Sequence, residues 1–351
     1  MPRRLALIVV GLVAALLLGE GLLRLIDAVP EVANPLYSFH VGDAVLGWRG
    51  KPGITRRFRR PQFDARIVHD AAGWRAPLPL APPAAPRRVL VLGDSFTWGW
   101  GVAQGEVYTD HLQRARPDAA IANRGVNGFG TAQEYLLLRQ ELAAGRVDLV
   151  LVQVFVNDLA DNLDGKGGRR PLFELDGDAL AAPSQPLRPL QDPVRTWLKD
   201  HSRVFLLLDY TGRALGGGNA AGARLAPPRD APPVEVRDVP GGELTARLLA
   251  AMQAAATAHG AHFAVLYAPH RLEIEGAVPP PVVRAAHALA HAVGSAPGAA
   301  WIDLTAPLAA AAAAGAPVLF AGDEHWTPAG HRVVADAILS SGVFDVAPPS
   351  P

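Results

Sequence analysis

Ser95 is the residue whose position in this sequence best suits a nucleophile. It lies in Gly93-Asp94-Ser95-Phe96-Thr97, directly after the apolar run Arg87–Leu92. That run is typical of a buried parallel strand, and the carboxyl end of such a strand is where α/β sheets bind ligands. An ordinary strand-to-helix turn has the same composition. Because a serine hydroxyl is a weak nucleophile, another part of the chain must supply a base.

His325 is the candidate base, two residues after Asp323 in Asp323-Glu324-His325-Trp326. Residues i and i+2 of an extended segment point to the same side, so Asp323 can accept the Nδ1 hydrogen and leave Nε2 for Ser95. The alternative interpretation is a capping loop in which His325 packs beside Trp326. The acidic residues and histidines nearby lack a second ligand cluster, so we predict no metal site.

Acyl transfer also requires hydrogen-bond donors for the oxyanion of the tetrahedral intermediate. The segment Asn123-Arg-Gly-Val-Asn-Gly-Phe-Gly-Thr131 follows a second predicted strand, and its glycines allow a backbone N–H to approach the reacting centre. Asn157, at the end of a third predicted strand, adds a side-chain amide. Turn glycines and a capping asparagine are the alternatives for these residues.

Together these segments resemble, in order, the conserved blocks of the SGNH hydrolases, a GDSL-like family. The blocks are Gly93-Asp94-Ser95, Asn123 to Gly128, Asn157-Asp158 and Asp323-x-His325. The resemblance covers about Arg87 to Ser341, apart from an insertion, and implies an α/β, flavodoxin-like, three-layer fold with a parallel sheet. It implies Ser95 as nucleophile and as oxyanion donor through its N–H, Gly128 and Asn157 as further donors, His325 with Asp323 as the base pair, and no cofactor.

The sequence departs from the family pattern at two places. Phe155 stands where many members have glycine two residues before the block asparagine, which predicts a narrow acyl pocket bordered by Phe155 and Trp326. One residue separates the acid and the base, whereas many esterases of the family have two. The Asp-x-His-Trp form resembles the branch that O-acetylates alginate and cell-wall polymers.

The N-terminus predicts a membrane segment. Arg3 and Arg4 precede an apolar run, and a helix from Leu5 to Ile26 would span roughly 33 Å, enough for a hydrocarbon core. No small-x-small cleavage site follows at Asp27 to Pro30. We expect a single-pass anchor in the inner (cytoplasmic) membrane with the catalytic domain outside the cytoplasm. Secretion after signal-peptide cleavage is the alternative.

Three parts follow from these patterns: an anchor or signal segment (1–28), an extended or β-hairpin region with a linker (29–86), and a hydrolase-like domain (87–345). Within the last part, we predict that residues 159–240 are an insertion that contains one helix, Pro193 to Leu215. A disordered loop is the alternative. The other predicted elements alternate as strands and helices. They are Ala119 to Ala122, Thr131 to Ala144, Asp148 to Phe155, Glu243 to His259, His262 to Ala268, Pro281 to Val293, Ala300 to Leu304, Pro307 to Ala314 and a last helix capped by Thr327.

Composition excludes some functions. Lys plus Arg and Asp plus Glu number 33 each, so no basic field attracts nucleic acid, and the absence of cysteine excludes disulfides and thiolate chemistry. We expect hydrolysis of an acyl ester, acetyl in the first instance, on a glycan or other envelope polymer. The alternatives are an O-acyltransferase, in which a sugar hydroxyl replaces water, and a non-catalytic binding or assembly factor of the same fold.

Overall fold

The structure of the protein is a computed structural model that describes residues 2–26, 35–80, 82, 85–177, 179–183, 187–188, 193–215 and 236–346. Its first element is the apolar helix α1 (Pro2–Leu25). The most apolar stretch of α1 has a mean hydropathy of 2.5 and no buried residue. This length and composition suit a membrane anchor, and a signal sequence shares both properties.

Two β-hairpins follow a short helix in the N-terminal region. In chain order the elements are α2 (Pro35–Phe39), β1 (His40–Asp43), β2 (Gly47–Gly50), β3 (Thr55–Arg60) and β4 (Phe63–Val68). Strand β3 carries Phe58 between two pairs of arginines, and Phe58 is fully buried and packs with Ile67 of β4 and with Trp98. The described residues of this region thus form two hairpins, and the buried Phe58 of the second packs against Trp98 of the following part of the chain.

The next elements alternate as strands and helices. They are β5 (Arg87–Leu92), α3 (Ser95–Trp98), α4 (Tyr108–Ala115), β6 (Ala119–Asn123), α5 (Thr131–Ala144), β7 (Leu149–Val154) and α6 (Asn157–Asp161). Strand β5 and helix α5 have the predicted bounds. Helices α3 and α6 escaped prediction because one turn is too short to show a helical period.

The insertion contains a small hairpin and two helices among its described residues. They are β8 (Glu174–Asp176), β9 (Ala179–Ala181), α7 (Pro193–His201) and α8 (Arg203–Leu215). The prediction of one helix from Pro193 to Leu215 is wrong. The chain breaks at Ser202, whose hydroxyl accepts a hydrogen bond from Phe205 N at 3.1 Å and so caps the start of α8.

The last part restores the alternation after a 3₁₀ turn at Val236–Asp238. Its elements are α9 (Gly242–Ala258), β10 (His262–Tyr267), α10 (Arg271–Ile274), α11 (Pro281–Gly294), β11 (Ala299–Asp303), α12 (Thr305–Ala313) and α13 (Pro328–Ser340). Thr327 caps α13 as predicted, accepting from Gly330 N at 3.2 Å.

Five parallel strands form the central sheet in the order β6-β5-β7-β10-β11. This is the flavodoxin-like order, so the predicted fold is confirmed. One face, with Val89 and Val91, packs against α4, α12 and α13, and the other, with Leu90 and Leu92, packs against α5, α9 and α11. Because β5 lies between β6 and β7, the segments that follow these three strands meet at one edge.

Candidate active site

Ser95 is the first residue of α3, and only Gly93 and Asp94 separate it from the end of β5. Gly93 permits this turn, because a Cβ there would lie 2.2 Å from Thr97 Oγ1. The Asp94 carboxylate accepts a hydrogen bond from Phe96 N at 2.9 Å and caps α3. The turn therefore holds Ser95 at the carboxyl edge of the sheet.

His325 and Asp323 meet Ser95 in the predicted arrangement. Ser95 Oγ lies 2.7 Å from His325 Nε2, and His325 Nδ1 lies 2.5 Å from Asp323 Oδ1. The same Asp323 oxygen accepts from the backbone N of His325 at 3.0 Å. Burial raises the pKa of the Asp323 carboxyl, but the hydrogen bond and charge of His325 outweigh it and hold that pKa below its ordinary value. Asp323 thus stays anionic and fixes the imidazole with Nε2 toward Ser95.

Helix α10 holds the loop that carries the histidine, a role that the sequence did not indicate. The Arg271 guanidinium donates to the carbonyl oxygens of Phe320, at 2.9 Å, and Asp323. The backbone N of Arg271 donates to Glu324 Oε2 at 2.8 Å. These bonds join segments about fifty residues apart in sequence, so they depend on the fold and leave no local pattern.

Two aromatic rings flank the imidazole of His325. Trp100 stacks on it with ring centroids 4.9 Å apart and an interplanar angle of 18°, and Phe96 lies at 4.9 Å and 36°. A stacked indole restrains the rotation of the imidazole and so helps to hold Nε2 toward Ser95. Trp100 was not predicted as a site residue, because its stacking partner lies in a distant segment.

Gly128 and Asn157 lie in the segments that follow β6 and β7. Gly128 has a φ of +78°, in the left-handed region that favours glycine, and its carbonyl accepts from Arg170 Nη2 at 2.8 Å. Asn157 opens α6, and its amide donates to Asp161 Oδ2 at 3.0 Å. Asn123 Nδ2 donates to Thr97 O at 2.7 Å and ties the β6 segment to α3. Both predicted donors thus lie at the edge that holds Ser95, and their oxyanion role stays a prediction.

The two predicted pocket residues occupy different depths. Phe155 is 8% exposed and packs on Phe96 at 4.7 Å, beside the ring of His270 at 6.5 Å. Trp326 has no exposed surface and packs between Phe96, at 4.7 Å, and Tyr108. A side chain without exposed surface does not contact a substrate, so in this arrangement Trp326 supports Phe96 from the core. Phe155 stays a candidate pocket residue.

Three buried carboxyl groups lie beneath the site. Asp94, Glu134 and Asp158 are each 1% exposed. Burial raises the pKa of Asp94 to about 6, and burial with mutual repulsion raises those of Glu134 and Asp158 well above their ordinary values. The protonated forms of Glu134 and Asp158 are therefore favoured, which lowers the negative charge beneath the site. The described part of the chain contains no cluster of carboxylates and histidines that would hold a metal ion.

The sequence of the chain matches one known protein family. Residues 91–333 match the model of the GDSL-like lipase/acylhydrolase family. None of the curated proteins compared with the chain matches it.

The chain is also similar to proteins with solved structures. A lipolytic protein of the G-D-S-L family from Veillonella parvula is 13% identical, with a TM-score of 0.42 over 72% of this chain and 97% of that one. A catalytic mutant of Axe2, an acetylxylan esterase from Geobacillus stearothermophilus, is 15% identical, with a TM-score of 0.42 over 73% and 94%. Since the family match spans more than half of the sequence, the chain belongs to the GDSL-like lipase/acylhydrolase family, also called the SGNH family.

Proposed function

We propose that this chain, an SGNH hydrolase of the esterase type, removes an acyl group, acetyl in the first instance, from a glycan or other envelope polymer. The observation that carries the proposal is the continuous chain of contacts from Asp323 through His325 to Ser95, at 2.5 and 2.7 Å. Such a chain activates a serine hydroxyl toward an ester carbonyl.

The proposed reaction has two steps. Ser95 Oγ attacks the ester carbonyl carbon while His325 Nε2 takes its proton, and the resulting imidazolium is stabilised by Asp323. The oxyanion accepts hydrogen bonds from the backbone N–H of Ser95 and Gly128 and from the Asn157 amide. His325 returns the proton to the leaving alcohol, which departs and leaves an acyl-serine. Water, deprotonated by His325, then releases the carboxylic acid and restores Ser95.

Two further features support a short acyl group and an envelope polymer as the substrate. Phe155 occupies space beside Phe96 next to the imidazole, which supports a short acyl group. Helix α1 supports a location at the membrane, where envelope polymers are modified. The Glu20 carboxylate of α1 accepts a hydrogen bond from Arg203 N of α8 at 2.9 Å, which supports retention of α1 as an anchor rather than its cleavage.

The water-dependent reaction is tested with the full chain in detergent and p-nitrophenyl acetate as acyl donor. We expect acetate as the product, and addition of chitopentaose as a sugar acceptor should not divert the acetyl group. Preferential formation of acetylated chitopentaose, detected by mass spectrometry, would assign the chain as an O-acyltransferase, to which the Asp-x-His-Trp form points. Absence of any turnover of the ester, in a chain that melts cooperatively, would refute both.

The roles within the triad are tested by substitution. His325→Ala should lower kcat to the same floor as Ser95→Ala, because the two act as a unit. Asp323→Asn should be milder than either, since Asp323 orients and stabilises the base. Losses that multiply in the Ser95→Ala/His325→Ala double variant would contradict a triad.

A further inference from the structure

We propose that a cavity at the carboxyl end of α1 binds the headgroup of an anionic phospholipid and so fixes the domain on the membrane surface. The cavity, of about 250 Å³, lies between α1, the start of β3 and the turn that joins α7 to α8. The inference goes beyond the proposed esterase activity and rests only on its membrane location, that is, on retention of α1.

Helix α1 is joined to the insertion by polar contacts, in addition to apolar ones. Glu20 accepts hydrogen bonds from Ser202 Oγ at 3.1 Å, Arg203 N at 2.9 Å and Val204 N at 3.1 Å. The N–H groups of Arg203 and Val204 are ones that a helix start leaves without intrahelical partners, and a carboxylate is favourable there. The turn between α7 and α8 is therefore held where α1 would leave the hydrocarbon core.

The lining of the cavity is cationic. Arg24, Arg56, Lys199 and Arg203 contribute to it with His201, and no acidic residue is among the described residues that line it. Arg24 pairs with Glu20 at 2.7 Å and Lys199 with Asp209 at 3.4 Å, so both bases are held in place. Basic side chains gathered at the end of an apolar helix are the arrangement that binds anionic lipid headgroups.

An apolar cavity adjoins the cationic one and gives the site the amphipathic form of a lipid. This second cavity, of about 350 Å³, shares His201 and Ser202 with the first. Its apolar lining includes Leu17 of α1 with Phe205 and Leu208 of α8. A phosphate in the first cavity would thus place an acyl chain along α1.

Helices α7 and α8 also expose apolar side chains that suit a membrane interface. Val194, Trp197 and Leu208 are 68%, 59% and 64% exposed. Exposed apolar side chains with a tryptophan, next to a cationic pocket, are typical of segments that lie at the level of the headgroups. The apolar side chains would enter the lipid while the arginines meet the phosphates.

The test is the binding of dihexanoyl phosphatidylglycerol to the full chain in neutral detergent, which is measured by calorimetric titration. Arg56→Gln should weaken binding about fivefold, the effect of one basic group at an anionic lipid surface. Arg59→Gln is the matched control, since Arg59 lies on the same strand but does not line the cavity, and it should bind as the wild type does. Arg203→Gln gives a second variant, and melting temperatures confirm that each protein is folded.

Three results would overturn the proposal. The first is equal affinity in the Arg56→Gln and Arg59→Gln variants. The second is equal binding of zwitterionic dihexanoyl phosphatidylcholine. The third is binding of inorganic phosphate as tight as that of the lipid and with the same loss in Arg56→Gln, which would assign the cavity to free phosphate. Hydrolysis of p-nitrophenyl acetate should be unchanged in all variants, so failure of this site is distinguishable from failure of the esterase proposal.

Discussion

The ring of Phe96 lies between Phe155 and the imidazole of His325, since Phe155 packs on Phe96 and Phe96 packs on His325. If its phenyl ring closes the acyl pocket, Phe155→Ala should raise the rate with butyryl and longer esters relative to acetyl. The truncation should also cost about 3 to 5 kcal/mol of unfolding free energy, as for other buried phenyl groups. The measurement is the chain-length profile of p-nitrophenyl esters at matched folded fraction.

Phe263→Ala is the control for this loss of stability. Phe263 is a buried phenylalanine of β10 that belongs to the core on the α5, α9 and α11 face of the sheet, whereas Phe155 belongs to the opposite core. It should lower stability without changing chain-length preference. Superimposable profiles for the wild type and Phe155→Ala would show that Phe155 is a core residue with no part in selectivity.

Ser95, Asp323 and His325 could be predicted because Ser95 follows a recognisable strand and the other two precede a recognisable helix. A single contact between these two segments, Ser95 with His325, is enough to form a triad. Trp100 and Arg271 could not, since their roles depend on contacts with a loop far away in sequence. Trp326 was predicted from its place beside His325. In the structure Trp326 pairs with Leu319 in an isolated antiparallel bridge, and its side chain lies in the core.

Helix α10 holds the loop that carries His325, and the effect of this contact on activity can be measured through Arg271. Arg271→Ala removes the hydrogen bonds to the Phe320 and Asp323 carbonyls. Displacement of His325 should lower kcat on the order of ten- to a hundredfold with little change in KM, because small misplacements of catalytic groups are costly. Arg271→Lys should recover part of the loss, since one amine replaces some of the lost donors.

Glu275→Gln separates loop positioning from the stability of α10. Glu275 pairs with Arg271 at 3.5 Å on the surface of the helix and does not contact the loop. This variant should keep the kcat of the wild type. A loss of kcat in Glu275→Gln equal to that in Arg271→Ala would place the effect in the helix itself and contradict the positioning role.

A second cluster links α10, α11 and β11. His287 lies 3.1 Å from both Glu273 and Asp303, and its hydrogen bonds with Asp303 and Glu273 raise its pKa from 6.5 to about 9. A raised histidine pKa contributes stability that is fully present below pH 6.5 and is lost as the pH rises through about 9. Stability should therefore fall across this range.

His287→Gln should flatten that fall in stability, as measured by melting temperature below pH 6.5 and above pH 9. His291→Gln, one turn farther along α11 and in edge contact with Trp301, is the control and should keep the slope of the wild type. An unchanged slope in His287→Gln would exclude this cluster as its source.

The longer elements were predictable because buried strands and amphipathic helices repeat their apolar residues over many positions. Strand β5, an apolar run that ends before Gly93, and helix α5, which ends before Gly145, match their predicted bounds. The insertion has two helices where one was predicted, because the hydroxyl of Ser202 caps the start of α8. A periodic pattern does not reveal such a local cap. The length of one turn hid α3, α6 and α10, although they carry or support the site.

For the chain as a whole, location is the property that joins α1 to function. We expect the full chain to sediment with membranes, and a protease added outside an intact inner membrane should reach the domain that follows α1. The basic residues before the apolar run set this orientation. A soluble form that begins near residue 30 would instead show that α1 is a cleaved signal segment.

The alternation of strands and helices in the sequence predicted the overall architecture, because it restricts the possible strand orders of the sheet. Parallel strands that are joined by helices can form a sheet in only a few topologies. The order β6-β5-β7-β10-β11 is one of these topologies. The docking of α8 on α1 was not foreseen, because it depends on Glu20 accepting from a helix start more than 180 residues away.

The central claim is that Ser95 forms a covalent acyl intermediate with the help of His325 and Asp323. It is tested most directly by treating the full chain with a fluorophosphonate and mapping the adduct by peptide mass spectrometry. We predict a single adduct, on the peptide that contains Ser95, absent in Ser95→Ala and formed more slowly in His325→Ala. An adduct on another serine that forms equally well in Ser95→Ala, with ester hydrolysis intact, would contradict the account.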